Sequence, residues 1–386
     1  MSQPVRLGLV YAALFVGTGA SAPYIPVWFA HRGLNGAEIG LILSAPMLAR
    51  AVSAPAIAMW ADSFRLRRTP LALMGLAAAL AYGLLAAPFG LAWWFGVWFA
   101  ASTLVSTMVP LTDVIVFRRA GLDGFNYGFA RGIGSVAYIV ANVVVGALLA
   151  RYSPELVLVW IAGAAMMAAA ASRGLLPPDT VREGGQASRL SERLAGLGDL
   201  LGDRHFMLAV VSVGLIQSAH AFYYSFSALT WKQQGVPESL TGLLWGLGVA
   251  VEVGFMWFME PWRRRVGPRN LLLMGGLAAL VRWSVLAFSP PLWMVAPLQV
   301  LHTFTFAATF LASLQLVERL STPVNASAAQ TINSALSGGF LMGIATIGSG
   351  WLYDHVGARG YLAMAAMSAL GVLGALRLYG VKRLDA

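Results

Sequence analysis

Residues 33–68 read GLNGAEIGLILSAPMLARAVSAPAIAMWADSFRLRR, and this stretch shows the pattern on which the whole chain is built. Its apolar run, 37–60, is long enough to cross a bilayer as one helix, which takes about 20 residues. The run is followed by an acidic residue, Asp62, and then by three arginines between positions 65 and 68. A short basic loop at the end of an apolar helix is typical of a segment that faces the cytoplasm.

The composition extends this reading to the full chain. Of its 386 residues, 58% are hydrophobic and 11% are charged, against roughly 25% charged in soluble domains. The apolar runs are continuous, which argues against a β-barrel, whose strands alternate apolar and polar residues. The chain has no cysteine, which excludes disulfides, thiolate catalysis and cysteine-ligated metals. We therefore predict an all-α integral membrane protein with no metal, no cofactor and no catalytic residue.

Twelve apolar runs are separated by short connections, with one long polar stretch in the middle. This stretch, 177–206, begins with Pro177-Pro178 and predicts a cytoplasmic linker with a short amphipathic helix. We predict twelve transmembrane helices in two six-helix bundles, 1–176 and 207–386, joined by that linker. The runs lie at about 7–29, 37–60, 70–88, 91–117, 128–150, 156–176, 207–231, 239–259, 270–289, 291–316, 326–352 and 359–380.

The basic residues predict the orientation. With the N-terminus inside, 20 of the 26 Lys and Arg residues fall in cytoplasmic segments and four in outer loops. The remaining two, Arg50 and Arg282, lie within predicted helices. This bias favours an even number of helices with both termini in the cytoplasm. In a membrane protein, the net charge of +10 needs no nucleic-acid partner to explain it.

The two halves resemble each other. The second half repeats the opening pattern from Gly235 onwards, with Met256-Trp257-Phe258-Met259-Glu260 followed by Arg263, Arg264 and Arg265. Parallel repeats of six helices are a known build for secondary transporters, whose substrate sites lie near the middle of the membrane.

The repeated acidic and basic loop resembles the signature G-x-x-x-D-R-x-G-R-R of the major facilitator superfamily. Asp62, Arg67 and Arg68 carry the resemblance, while Ser63 replaces the first arginine and Arg65 the turn glycine. The resemblance implies cytoplasmic gates between helices. We assign them to Asp62, Arg67 and Arg68, to Glu260, Arg263 and Arg264, and to Asp113 with Arg131.

A narrower resemblance extends along nearly the whole chain. Val109-Pro110-Leu111-Thr112-Asp113, the segment 217–224, Val281-Arg282-Trp283 and the segment 298–302 look like the 3-phenylpropionate transporter group. That group is related to proton-coupled sugar permeases and nucleoside:proton symporters. The resemblance implies import of a small aromatic solute together with protons. We expect a monomer in the bacterial inner membrane, with lipids, protons and a small molecule as its partners.

Ionisable residues near the middle of predicted helices are the candidates for coupling and binding, because a buried charge in a membrane needs a partner or a wet cavity. Glu252 is the candidate proton carrier, since a carboxyl group in a low-dielectric site holds its proton until a cation approaches. The alternative is a permanent Glu252–Arg282 ion pair. Arg282 and Arg50 are candidates for holding a substrate carboxylate, and Arg50 could instead contact helix carbonyls or Asp113.

Two histidines complete the predicted site. His302 resembles the tenth-helix histidine of the lactose permease group, which has an acid three residues further on, where this chain has Thr305. We assign His302 to proton coupling beside Glu252. His220 lies on a polar stripe of the seventh predicted helix, and a polar stripe in lipid must face a cavity or another helix. We expect substrate contacts from Gln217, His220 and Tyr224 there, and from Gln299 on the tenth predicted helix.

The sequence thus favours a proton symporter for an aromatic monocarboxylate such as 3-phenylpropionate. A nucleoside or sugar symporter is the first alternative, with the arginines in internal pairs. An exporter of hydrophobic compounds is another, disfavoured because Gly128, Gly132 and Gly134 lack the Gly-Pro of the antiporter motif. A membrane enzyme or sensor lacks a recognisable catalytic motif.

Overall fold

The computed structural model describes residues 1–179, 196–381 and 384, which are overwhelmingly helical. This confirms the all-α class. Residues 180–195, the centre of the predicted linker, lie outside the described residues. Before them run six helices: Gln3–His31, Gly36–Asp62, Arg68–Leu84, Leu91–Asp123, Tyr127–Leu149 and Glu155–Leu175.

The second half is also helical, but its helices are interrupted more often. Two segments, Thr303–Ala308 and Ser334–Leu341, are π-helical, a form that often occurs at functional sites. The α-helices are Leu197–Gly202, Arg204–Ser218, Ala221–Gln233, Glu238–Phe258, Glu260–Leu286, Leu292–Val300, Thr309–Leu320, Ala326–Asn333, Met342–Val356 and Tyr361–Arg377.

Ten helical stretches of the described chain are long and apolar enough to cross a membrane. One of them, Ala326–Gly380, has 55 residues and contains the 3-10 turn Gly357–Gly360. The helix Arg68–Leu84 is apolar but shorter than the rest. The long apolar runs of the sequence therefore do form helices, most of them long enough to span a membrane.

The described residues form two compact units. Residues 231–246, the end of the seventh and the start of the eighth predicted helix, belong to the unit that contains 1–179. The other unit contains residues 196–230 and the chain from 247 onwards.

The first helix is the centre of the first unit and packs against Tyr127–Leu149 and Glu155–Leu175. Glycine makes this approach possible, because a Cβ at Gly19 would lie 2.5 Å from the carbonyl oxygen of Tyr138. The next helix begins with a capping box in which Asn35 and Glu38 bond each other's backbone N–H groups, as expected at a helix start.

The second unit is organised around the helix Glu260–Leu286, which packs against Tyr361–Arg377, Thr309–Leu320 and the π-helical segment Thr303–Ala308. Gly275 faces the Thr309 hydroxyl so closely that no Cβ would fit there. The face of this helix that is buried at Gly275 carries Arg282 two turns later, also buried. This packing brings a charged side chain into the interior of the unit.

Candidate functional site

The buried guanidinium of Arg282 is the centre of a polar cluster in the second unit. Its side chain has an exposed fraction of 0%. Nη1 lies 3.0 Å from Nδ1 of His302, and Nη2 donates to Oε1 of Gln299 at 2.9 Å. Nη1 also donates to the Thr305 hydroxyl at 3.3 Å. We call Arg282, Gln299, His302, Thr305, His220 and Glu252 the Arg282 cluster.

Aromatic rings cover the guanidinium. Its central carbon lies 4.5 Å from the ring centre of Tyr223 and 4.6 Å from that of Trp283. The Tyr223 hydroxyl donates to Oε1 of Gln299 at 2.9 Å, and Trp283 stacks on Tyr361 with ring centres 5.7 Å apart. Cation–π contacts of this kind stabilise a desolvated cation, so the rings offset part of the cost of burying Arg282.

His220 joins the cluster because the seventh predicted helix is broken beside it. The helix Arg204–Ser218 ends just before it and a new helix begins at Ala221. The ring nitrogen Nδ1 lies 2.9 Å from the Gln217 carbonyl oxygen, to which it must donate. In the neutral ring, Nε2 then accepts from the Thr305 hydroxyl at 2.9 Å.

His302 connects the cation to the only carboxyl group of the Arg282 cluster. An arginine can only donate, so Nδ1 of His302 accepts from Arg282 and the ring proton is on Nε2. Nε2 lies 3.5 Å from Oε2 of Glu252. The order is therefore guanidinium, imidazole, carboxyl, with the protonated nitrogen of His302 the one that lies next to Glu252.

Arg282 has no carboxylate partner among the described residues. The expected alternative, a direct Glu252–Arg282 ion pair, is absent from the ion pairs of the described chain, where Glu252 lies beside His302 instead. Nε of Arg282 is buried without a hydrogen-bond partner in the same part of the chain. The imidazole occupies the place between the two charges.

The remaining predicted binding residues lie close to the cluster, with one exception. Gln217 donates from Nε2 to the Phe306 carbonyl oxygen at 3.2 Å, and Tyr224 stacks on His220 with ring centres 5.4 Å apart. Arg50 belongs to the first unit, on the helix Gly36–Asp62, where its side chain is exposed. The suggested Arg50–Asp113 contact is not among the ion pairs of the described residues.

Asp113 is held by a cluster of its own in the first unit. It accepts hydrogen bonds from the hydroxyls of Tyr11 and Tyr127, and Nε of Arg131 lies 3.7 Å from its Oδ1. The Arg131 guanidinium also covers the ring of Phe15, 4.3 Å from its centre. These contacts join the first, fourth and fifth helices.

Apart from Asp113 and Arg131, the predicted gate residues lie at or near helix ends. Asp62 ends one helix and Arg68 begins the next, while the backbone N–H of Arg67 donates to the Asp179 carbonyl oxygen at 3.1 Å. Asp179 is buried and paired with Arg119, a contact that is not among the predicted ones. Its position directly after Pro177-Pro178 is the sequence feature that could have indicated a structural role for Asp179.

In the second unit, the equivalent loop is held by local contacts. Glu260 pairs with Arg264 at 2.6 Å, four residues further along the same helix. Arg263 donates from Nη2 to the Met256 carbonyl oxygen at 2.9 Å and covers the ring of Phe255.

Apolar membrane-spanning helices that enclose a buried polar cluster are typical of membrane transporters. The architecture here is of the major facilitator type. The chain belongs to the MFS_1 like family, whose model matches residues 5–363. It is therefore a multi-pass protein of the bacterial inner membrane that transports small molecules, and it is not an enzyme.

Individual relatives support the same class. The chain is 30% identical over 300 residues to a "Probable 3-phenylpropionic acid transporter" of Escherichia coli (strain K12), covering 77% of this chain and 76% of the relative. It is 28% identical over 372 residues to a "Maltose permease" of Geobacillus stearothermophilus, covering 95% and 92%. The crystal structure of the nucleoside transporter NupG superposes with a TM-score of 0.83 at 16% identity, covering 99% of this chain and 100% of that one.

Proposed function

We propose that the protein imports an aromatic monocarboxylate, such as 3-phenylpropionate, together with protons, by alternating access. One observation carries the proposal: Arg282 is wholly buried and has no carboxylate partner in the described chain. A buried cation without a counter-ion is costly, and a substrate carboxylate would supply the missing charge. The relative described as a probable 3-phenylpropionic acid transporter supports this substrate class.

The donors of Arg282 support a carboxylate in particular. A guanidinium has five N–H donors, and three hydrogen bonds to His302, Gln299 and Thr305 engage Nη1 and Nη2. Two N–H groups lie outside these three bonds: the one on Nε, which is buried without a partner, and one on Nη2, where Tyr223 also contacts the guanidinium. A pair of N–H donors on one planar group suits the two oxygens of a carboxylate.

The rings around Arg282 support an aromatic body for the solute. Tyr223, Trp283 and the stacked pair of His302 and Phe306 place aromatic faces near the cation. Aromatic faces pack favourably against other rings in offset or edge-on arrangements. A phenyl ring a few bonds from the carboxylate would meet such faces, whereas a sugar would need more hydrogen-bonding partners.

We assign proton carriage to Glu252, with His302 as its partner. Glu252 is mostly buried on the helix Glu238–Phe258, and its carboxyl group lies 3.5 Å from the imidazole. A carboxyl group in this position can take up a proton from one side of the membrane and release it on the other. Substrate contacts from Gln217, His220, Tyr224 and Gln299 belong to the same proposal, and a role for Arg50 has no support from its surroundings.

We further propose twelve membrane crossings with both termini in the cytoplasm. A helix of 55 residues would be about 80 Å long, more than twice the roughly 30 Å hydrocarbon core, so Ala326–Gly380 provides two crossings divided at Gly357–Gly360. With the shorter Arg68–Leu84, the ten spans become twelve. The same proposal includes two bundles, 1–176 and 207–386, joined by the linker 177–206. It also includes the cytoplasmic gates and a monomeric state.

A neutral sugar or nucleoside is the second candidate substrate. The permease described as a maltose permease matches 95% of this chain, a larger share than the 77% matched by the aromatic acid transporter. In that case, Arg282 would serve only to order Gln299, His302 and Thr305.

External pH in lightly buffered, de-energised cells that express the protein tests these candidates. The solutes added in turn are 3-phenylpropionate, its neutral amide, maltose and a nucleoside. We expect alkalinisation with the acid alone, and none in cells with Glu252→Gln. The exposed Glu318 provides the matched control, Glu318→Gln, which should behave as the unaltered protein.

A response only to maltose or the nucleoside would show that the substrate is a sugar or a nucleoside. The proposed proton coupling would stand. No response to any solute, with the protein correctly inserted, would contradict proton-coupled import and favour the export of hydrophobic compounds.

A further inference from the structure

A second group of buried polar side chains lies in the second unit, where the helices Arg204–Ser218 and Thr309–Leu320 meet the helix Ala326–Asn333. Asn333 is its central residue, with an exposed fraction of 8%, and the three serines bonded to it or to each other are also buried. None of these side chains is charged, and none belongs to the Arg282 cluster. We call Asn333, Ser313, Ser337 and Ser218 the Asn333 cluster.

The serine hydroxyls fix the amide oxygen and the backbone of this cluster. Ser313 donates to Oδ1 of Asn333 at 3.1 Å. Ser337 donates to the Asn333 carbonyl oxygen at 2.5 Å, and Ser218 donates to the Ser337 carbonyl oxygen at 3.0 Å. The three hydroxyl hydrogens are therefore used within the cluster, and the amide group of Asn333 is held with its oxygen towards Ser313.

The amide nitrogen of Asn333 is left over by these bonds. It carries two N–H donors and has no hydrogen-bond partner within the described chain, where the side chain bonds only through Oδ1. Nδ2 is not among the unpartnered atoms that are fully enclosed, whereas Nε of Arg282 is. Part of Nδ2 is therefore open to a small molecule. Since an unpaired buried donor is costly, an acceptor that reaches Nδ2 is bound favourably.

The Asn333 cluster lies farther along the helices than the Arg282 cluster. Ser313 follows His302 by eleven residues, which corresponds to about 16 Å of helix. Asn333 is on the next helix, after the connection 321–325, which the proposed topology places in the cytoplasm. One carboxylate therefore cannot contact Arg282 and Asn333 at the same time, and Asn333 lies on the cytoplasmic side of Arg282.

We propose that Asn333 forms a second binding site for the solute carboxylate, which the anion occupies after it leaves Arg282 towards the cytoplasm. This inference rests on the proposed function and adds a site outside the Arg282 cluster. A carboxylate oxygen accepts from Nδ2 of Asn333 there. A neutral donor suits this step, because its hydrogen bonds to an anion are weaker than those of a cation and the anion is released more readily.

Replacing Asn333 with leucine tests the proposal, because leucine has nearly the same size but no donor. Initial uptake of labelled 3-phenylpropionate into liposomes that contain the purified protein should slow by about tenfold or more, since the anion loses a hydrogen bond on its path. Uptake by protein-free liposomes is subtracted, because the neutral acid itself crosses lipid. The dissociation constant of the acid is determined at Arg282 and should change by less than about threefold.

Three further variants show whether the amide itself is responsible. Asn333→Gln keeps the amide and should restore most of the uptake. Gln330→Leu is the matched control, at an exposed amide on the same helix, and should leave uptake unchanged. Ser313→Ala removes the bond that orients the Asn333 amide and should slow uptake without changing the dissociation constant. Thermal unfolding shows which variants are folded, and Ser313→Ala decides the question if the leucine variant is not.

The outcomes separate this inference from the proposed function. Normal uptake by the folded Asn333→Leu variant would overturn the second site and leave aromatic acid import intact. A dissociation constant that rises as much as uptake falls would also overturn it, because Asn333 would then belong to the site at Arg282. Equal loss in the leucine and glutamine variants would reduce Asn333 to a packing role. No protein-dependent uptake by the unaltered protein would overturn the proposed function itself, and this inference with it.

Discussion

Replacing Arg282 with methionine should separate carboxylate recognition from general packing. Methionine replaces the aliphatic part of the side chain with an unbranched apolar chain and removes all five donors. Three side-chain hydrogen bonds occupy Nη1 and Nη2 of Arg282, and a substrate carboxylate would take the other two N–H groups, one of them in place of Tyr223. Hydrogen bonds to a charged group contribute about 1.5–3 kcal/mol each, so the pair contributes about 3–6 kcal/mol. The dissociation constant of 3-phenylpropionate should therefore rise roughly a hundredfold to ten-thousandfold.

Isothermal titration calorimetry of the purified protein measures this change. The neutral amide of 3-phenylpropionate has the same ring and chain, and its dissociation constant should change by less than about tenfold, because it cannot pair with the cation. Arg359→Met, at an exposed arginine, provides the matched control. Equal weakening of acid and amide would refute carboxylate pairing and leave Arg282 with a role in folding alone. Unchanged binding of the acid would refute any contact between Arg282 and the substrate.

Three further predictions follow from the same contacts. The Glu252→Gln variant should still exchange internal for external 3-phenylpropionate, but it should lose accumulation of the acid driven by a pH gradient. Flux assays in liposomes, with labelled acid on one or both sides, distinguish these two activities. Tyr223→Phe removes one hydrogen bond to Gln299, worth about 1 kcal/mol, so calorimetry should give about fivefold weaker binding of the acid. Gly19→Ala should destabilise the protein by about 1–3 kcal/mol through overpacking. Gly83→Ala should not destabilise the protein, because a Cβ at Gly83 would have no atom within 4 Å. Thermal unfolding measures the stability of both variants.

The sequence predicts the helices and the meeting of the buried polar residues for one physical reason. An ionisable side chain is tolerated inside an apolar helix only where it finds polar partners. Glu252, Arg282 and His302 lie at similar depths in neighbouring predicted helices, so their proximity could be expected. Their order could not, because spacing along a helix does not say whether Arg282 turns towards the carboxyl group or towards the imidazole.

Departures from regular helix explain most of what the sequence leaves undetermined. Counting three and four residues along a helix from His220 reaches both Tyr223 and Tyr224, yet the predicted site includes Tyr224 alone. Tyr223 bonds Gln299 and lies against the Arg282 guanidinium. The π-helical segment Thr303–Ala308 changes the direction of Thr305, and no composition rule signals such a segment.

Arg50 shows the limit of the depth argument. Its place in the second predicted helix matches that of Glu252 in the eighth, yet its side chain is exposed in the first unit. Depth in a helix does not fix the side of the helix on which a residue lies. Asp179 shows the opposite limit, since a residue at the start of a polar stretch is buried against Arg119 through packing that no local pattern encodes.

The indole of Trp283 is an intrinsic reporter of this site. It is one of 13 tryptophans, it is wholly buried, and its ring contacts both the Arg282 guanidinium and Tyr361. Indole emission responds to nearby charge, so an anion that arrives at Arg282 should shift the emission of this one residue. A variant with phenylalanine at the other twelve positions would then allow the occupancy of the site to be followed optically, without a label and in real time.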